Sequence, residues 1–195
     1  LNDIKAEMKD APRPNTTEDQ PPTVLEILRD ALSFPLSKEA SSKLSASIPA
    51  RAYIVMMVSL TGLYERKMNR QFNEEITFNA AMNLIAELAS RREEIEFFSS
   101  TPNEYFFLFR ADDLETSLIK CAKNFYTALS NMLRRYIDVA SHAGVSSIKY
   151  QYEDLQIAIF EAREANESYF ILLEPFIKYV DRYTDSADSV EVARL

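Results

Sequence analysis

Apolar residues return in alternating steps of four and three through the last third of the chain. The series is Ile148, Tyr152, Leu155, Ile159, Ala162, Asn166, Tyr169, Leu173, Phe176, Val180 and Tyr183. That spacing predicts one long amphipathic helix with a coiled-coil-like seam. Pro175 lies inside it and predicts a kink near Leu172. From Ala52 to Tyr64 the chain is almost wholly apolar, which predicts a central helix buried on every side. Gly62 within it suggests a close crossing by another helix.

The remaining pattern is read the same way. Thr23 and Glu26 form a capping box ahead of a first helix that ends near Pro35. A small-residue helix follows over 37–47. Asn73 caps a helix whose apolar positions Phe78, Ala81, Ile85, Leu88 and Ile95 carry it to Phe98. Thr101, Pro102 and Glu104 form a second capping box. The run Tyr105–Phe109 fits a strand or a helix taken alone, and the capping signal favours the helix. Leu114, Leu118, Cys121, Phe125, Leu129, Met132, Tyr136 and Val139 mark a helix to Ala143, with Gly144 as its C-cap. The expected fold is all-α, an antiparallel bundle of five or six helices with a long, kinked C-terminal helix. Residues 1–22, rich in proline and polar side chains, read as a flexible lead-in. Residues 23–185 read as the helical domain and 186–195 as a tail.

Composition sharpens this. The 195 residues include only 2 glycines, which argues against hairpin-rich folds and phosphate-cradling loops. A net charge of −8 disfavours nucleic acid and anionic lipid as partners. No apolar stretch is long enough for a membrane span. A single cysteine rules out an internal disulfide and favours an intracellular setting, cytoplasm or nucleus. A start at Leu1 suggests a piece of a larger protein.

Candidate chemistry is sparse. The one histidine, His142, reads as a favourable charge at a helix end. Cys121 reads as core, separated from His142 by continuous helix. Asp112-Asp113-Leu114-Glu115 resembles the paired carboxylates of helical prenyl-transfer enzymes, but the next position is Thr116. No metal-ligand spacing, cofactor motif or catalytic constellation is present, so no metal or cofactor is expected. Asn166 stands out as a polar residue in the apolar seam, where it makes an internal hydrogen bond of the bundle or stays in water, with a register-setting role as the alternative. Tyrosines on the last helix exceed what one core face needs. Tyr150, Tyr152, Asn166, Tyr169, Tyr179 and Tyr183 are therefore the candidate interface to another protein or a second copy.

The expected function is a non-enzymatic protein–protein interaction or assembly domain, a homodimeric scaffold or adaptor. The alternative is an enzyme or small-ligand binder with a pocket lined by Tyr53, Met56, Met57, Tyr64, Phe106 and Phe109. A third reading is a helical nucleic-acid binder using the arginine clusters at Arg66/Arg70, Arg91/Arg92 and Arg134/Arg135.

Overall fold

The apolar run that opens at Ala52 is a strand, not a helix. β1 (Ala52–Thr61) is the middle of a five-stranded sheet ordered β2-β3-β1-β4-β5. The structure, a computed structural model, describes residues 22–61, 74–101, 103–112 and 115–179. Before β1 come helices α1 (Val24–Asp30) and α2 (Lys38–Ser47). After it come α3 (Glu74–Ser90), β2 (Ile95–Thr101), β3 (Glu104–Ala111), α4 (Glu115–Ile137) and β4 (Ala140–Val145). A single 3-10 turn at Tyr152–Asp154 leads into α5 (Leu155–Glu167), then α6 (Tyr169–Leu172) and β5 (Phe176–Lys178). β1 pairs antiparallel with β3 and β4, β2 pairs antiparallel with β3, and β5 pairs parallel with β4.

The all-α expectation is therefore corrected to an α/β fold with a mixed sheet covered by helices on both faces. A strand covered on both faces loses the apolar–polar alternation that marks a half-exposed one. In β1 the even positions Ile54, Met56 and Val58 pack with α3 and α4, while Tyr53, Val55 and Met57 pack with α1, α2 and α5. With both sets apolar, the run reads like a buried helix.

The aromatic run at Tyr105–Phe109 is likewise strand β3, and its registered neighbours stack across the hairpin. Phe97 faces Phe107 at 5.3 Å between ring centroids, and Phe98 faces Phe106 at 5.6 Å. Such aromatic pairs fix register. The helix expected to reach Phe98 stops at Ser90, because Ile95 and Phe98 belong to β2. The helix expected to reach Ala143 stops at Ile137, and Gly144 lies within β4.

The described part of the long C-terminal helix is instead a loop, the 3-10 turn, helices α5 and α6, and strand β5. Only Leu155, Ile159, Ala162 and Asn166 share one buried helical face, that of α5. Pro175 does not kink a helix. The helix has ended at Leu172, Leu173 turns left-handed at φ 58°, and the Pro175 carbonyl accepts from the Ala143 amide. Among the described residues the coiled-coil seam is thus absent.

The local signals in the first helices are where the sequence puts them. The Glu26 carboxylate accepts from the Thr23 amide at 2.6 Å, and Thr23 Oγ1 accepts from the Glu26 amide. Tyr53 and Tyr152 stack at 5.0 Å and tie β1 to the 3-10 turn. Burial pushes the Tyr152 phenol up to about 12.

Gly144 sets how closely α5 approaches the sheet. A Cβ there would lie 2.1 Å from the Asn166 nitrogen and 2.3 Å from the Ala162 oxygen. The helix backbone crosses directly over β4, and only a residue without a side chain fits beneath it. The close crossing expected at Gly62 lies outside the described residues. Nearby, Glu161 is buried and bridges the loop after β4. It accepts from the Ser147 amide and hydroxyl and pairs with Lys149 Nζ at 2.7 Å.

Candidate functional site at one end of the sheet

Three strands bring a polar row to the end of the sheet that holds the β2–β3 turn. Ser59 on β1 stands opposite Glu104 on β3 and opposite His142 on β4. The row interrupts an otherwise apolar face. Helix α5 and α6 lie over it and supply Arg163, Asn166 and Tyr169.

Asn166 is the hub. Its Oδ1 accepts from the Ser59 hydroxyl at 2.9 Å. Its Nδ2 donates to the carbonyls of Met57 and His142 at 3.2 and 3.3 Å. One buried amide thus holds β1, β4 and α5 together. Asn166 reads correctly from the sequence as a misfit among apolar neighbours. Its bonds lie within the chain, as the internal hydrogen-bond reading has it and not the register reading.

His142 is 2% exposed, and its ring lies 4.2 Å from that of Tyr169, nearly parallel. Neither ring nitrogen has a hydrogen-bond partner. Burial holds its pKa below the usual histidine value, while the Asn166 side chain pulls the other way. The helix-end reading of His142 is corrected: it is a strand residue, on the opposite side of the sheet from Cys121 on α4. The row is no nucleophile–base pair, because the Ser59 hydroxyl donates to Asn166 rather than to an imidazole nitrogen.

Arg163 gives the site its charge. Its guanidinium lies 4.0 Å from the Glu104 carboxylate, donates to the Leu32 carbonyl at 3.4 Å and covers the Phe106 ring at 5.2 Å. Arg163 and Glu104 are both about one-third exposed, 35% each. They can therefore meet a ligand, unlike Asn166 and His142.

The expected interface residues scatter. Tyr152 and Asn166 are buried, Tyr169 and Tyr179 are half-buried, and Tyr150 is exposed. Tyr183 lies outside the described residues. The expected pocket does not form. Tyr53, Met56, Met57, Phe106 and Phe109 are all buried and divide between the two faces of the sheet, and Tyr64 is outside the described residues. Asp112 is exposed just after β3, and Asp113 and Leu114 are not described. Among the described residues no three metal-ligating side chains cluster, and no helix is long and apolar enough to cross a membrane. The sequence does not single out Ser59 or Arg163 as site residues, and it reads Glu104 as part of a helix cap, which the β2–β3 hairpin replaces. The available signal was the break in apolar character at Ser59 and Thr61.

No protein-family model and no curated protein matches this sequence. Solved structures do match. The GGDEF domain of DgcB from Caulobacter crescentus, in complex with c-di-GMP, superposes with a TM-score of 0.53 at 9% identity, over 87% of this chain and 100% of that one. The diguanylate cyclase SiaD of Pseudomonas aeruginosa, in complex with its activator SiaC, gives 0.58 at 13% identity, over 90% of this chain and 65% of that one. The active GGEEF domain of a diguanylate cyclase from Vibrio cholerae gives 0.52 at 9% identity, over 73% and 91%.

The fold is thus the one found in GGDEF-type cyclase domains. The helical, coiled-coil scaffold expected from the sequence is overturned with the architecture it rested on. The alternative, an enzyme or small-ligand binder, fits these matches better. The five-residue runs those domains are named for, Gly-Gly-Asp-Glu-Phe and Gly-Gly-Glu-Glu-Phe, do not occur here: the chain's glycines stand apart, at Gly62 and Gly144.

Proposed function

We propose that this chain is a nucleotide-binding domain of the diguanylate cyclase type, taking a guanine nucleotide at the end of the sheet where Glu104 and Arg163 are exposed. The observation that carries the reading is the backbone match over the whole of a domain solved with c-di-GMP. The side chains suit the ligand. A carboxylate can accept from the two N–H groups on the guanine edge, and a guanidinium fork pairs with phosphate oxygens. Binding would require the Glu104–Arg163 pair to part, which costs little at 4.0 Å and partial exposure. Asn166 and His142 act beneath them as a rigid floor.

A protein partner belongs to the same reading, since one matched cyclase is in complex with its activator. Guanine nucleotides are an intracellular pool, so the same reading favours a location inside the cell.

Calorimetric titration of the chain with GTP, and separately with c-di-GMP, tests the reading. Micromolar binding of at least one, weakened by Arg163→Ala, is the expected result. Absence of heat with both nucleotides overturns it. A parallel assay for GTP consumption separates a binding domain from a turning-over enzyme.

A further inference from the structure

Four consecutive apolar residues stand in water between α5 and β5. Phe170, Ile171, Leu172 and Leu173 are 70, 79, 57 and 73% exposed. Single exposed apolar residues are ordinary, but a contiguous run of this size marks a surface that another molecule covers.

The run is held in place from below. The Leu172 and Leu173 amides donate to the Ser168 and Tyr169 carbonyls at 2.9 and 2.7 Å. The Phe170 ring meets His142 edge-on at 5.6 Å, beside the Tyr169 stack. A knob fixed this way loses little conformational freedom when it docks.

The charged residues that flank it in sequence are of one sign. Glu164, Glu167 and Glu174 are all exposed, and the sequence carries no Lys or Arg between Arg163 and Lys178. An isologous pair of such knobs would set carboxylate against carboxylate. An anionic lipid surface would be repelled in the same way. A groove that is apolar at its floor and basic at its edges complements the knob in both respects.

We propose that Phe170–Leu173 is a docking knob for a partner protein that presents an apolar groove bordered by Lys or Arg. The proposal is independent of whether a nucleotide binds at the sheet end.

The test uses the full chain and two synthetic amphipathic helices with the same leucine face, one bordered by lysines and one by glutamates. Fluorescence anisotropy reads their binding to the wild type and to the Ile171→Ser/Leu172→Ser variant. Both substituted side chains are exposed, and matching thermal melts verify the fold. The expected result is binding of the lysine-bordered peptide, weakened about tenfold or more in the variant, whose charge is unchanged. The glutamate-bordered peptide should not bind. Equal binding by wild type and variant would assign the contact to general charge attraction and overturn the proposal. So would a concentration-dependent dimer abolished by the double substitution, which makes the occupant a second copy. Binding to phosphatidylglycerol vesicles without peptide binding would overturn it in favour of a membrane.

Discussion

Ser59 and Asn166, 107 residues apart in sequence, meet through a 2.9 Å hydrogen bond that fastens the last long helix to the central strand. The same amide also satisfies the carbonyls of Met57 and His142. In a coiled-coil seam, replacing a buried asparagine by leucine raises stability. Here the sign reverses. Asn166→Leu takes a second donor from two carbonyls that the β1–β4 ladder still pairs, and it leaves the half-buried Ser59 hydroxyl without its acceptor, a desolvation cost of about 1–3 kcal/mol when unrelieved. The expected net loss is about 1–2 kcal/mol after relaxation and some gain from the apolar side chain. Urea unfolding of the two proteins measures it, and an unchanged or raised midpoint would contradict this role.

Gly144 makes a second prediction. A methyl group at this position meets backbone, not a flexible side chain, so α5 must lift from β4. Gly144→Ala should cost about 3 kcal/mol, the upper part of the range for overpacking. It should also stretch the Asn166 bonds above. Thermal melts give the cost. Amide exchange in β4 and α5 should speed up together, whereas a variant with wild-type exchange would show that the crossing is looser than drawn.

His142 yields a pH dependence with a definite sign. Its folded-state pKa is depressed, chiefly by burial. Between that value and the unfolded value of about 6.5, the unfolded chain binds the extra proton and the folded chain does not. Stability therefore rises with pH through this window and is fully present above about 6.5. It is lost as pH falls through the window, and it levels off below the folded pKa. His142→Phe keeps the stack on Tyr169 and removes the titration. Melting temperatures followed from pH 7.5 to 5 should fall less steeply in the variant than in the wild type. Parallel curves would mean that His142 does not contribute.

These residues also show what the chain discloses before it folds. The Thr23–Glu26 capping box is local, and it is legible because both partners lie within one turn. Asn166 is legible as a polar misfit, though not what it binds, since Ser59 is on a distant strand. β1 is illegible as a strand because its two faces are equally apolar. β4 is harder still: Ala-Ser-His-Ala-Gly-Val has little strand propensity. Its small residues are there because α5 passes so close above. The described part of the apparent seam, Ile148 to Phe176, merges a loop, a turn, two helices and a strand. Phe176 falls on the helical spacing yet lies in β5. Ser59, Glu104 and His142 form a row only once β1 is paired on both sides, which no local pattern encodes.

The sheet order has a consequence for synthesis on the ribosome. The central strand is the first one made, and both of its neighbours come later in the chain. At about 5–20 residues per second, β1 waits on the order of several seconds before β3 has been translated, and longer for β4. Throughout that interval Tyr-Ile-Val-Met-Met-Val is a nascent apolar segment with both edges unpaired, the kind that associates with its like on neighbouring chains. Yield on expression should therefore depend on translation speed and chaperone supply more than the stability of the finished domain would suggest.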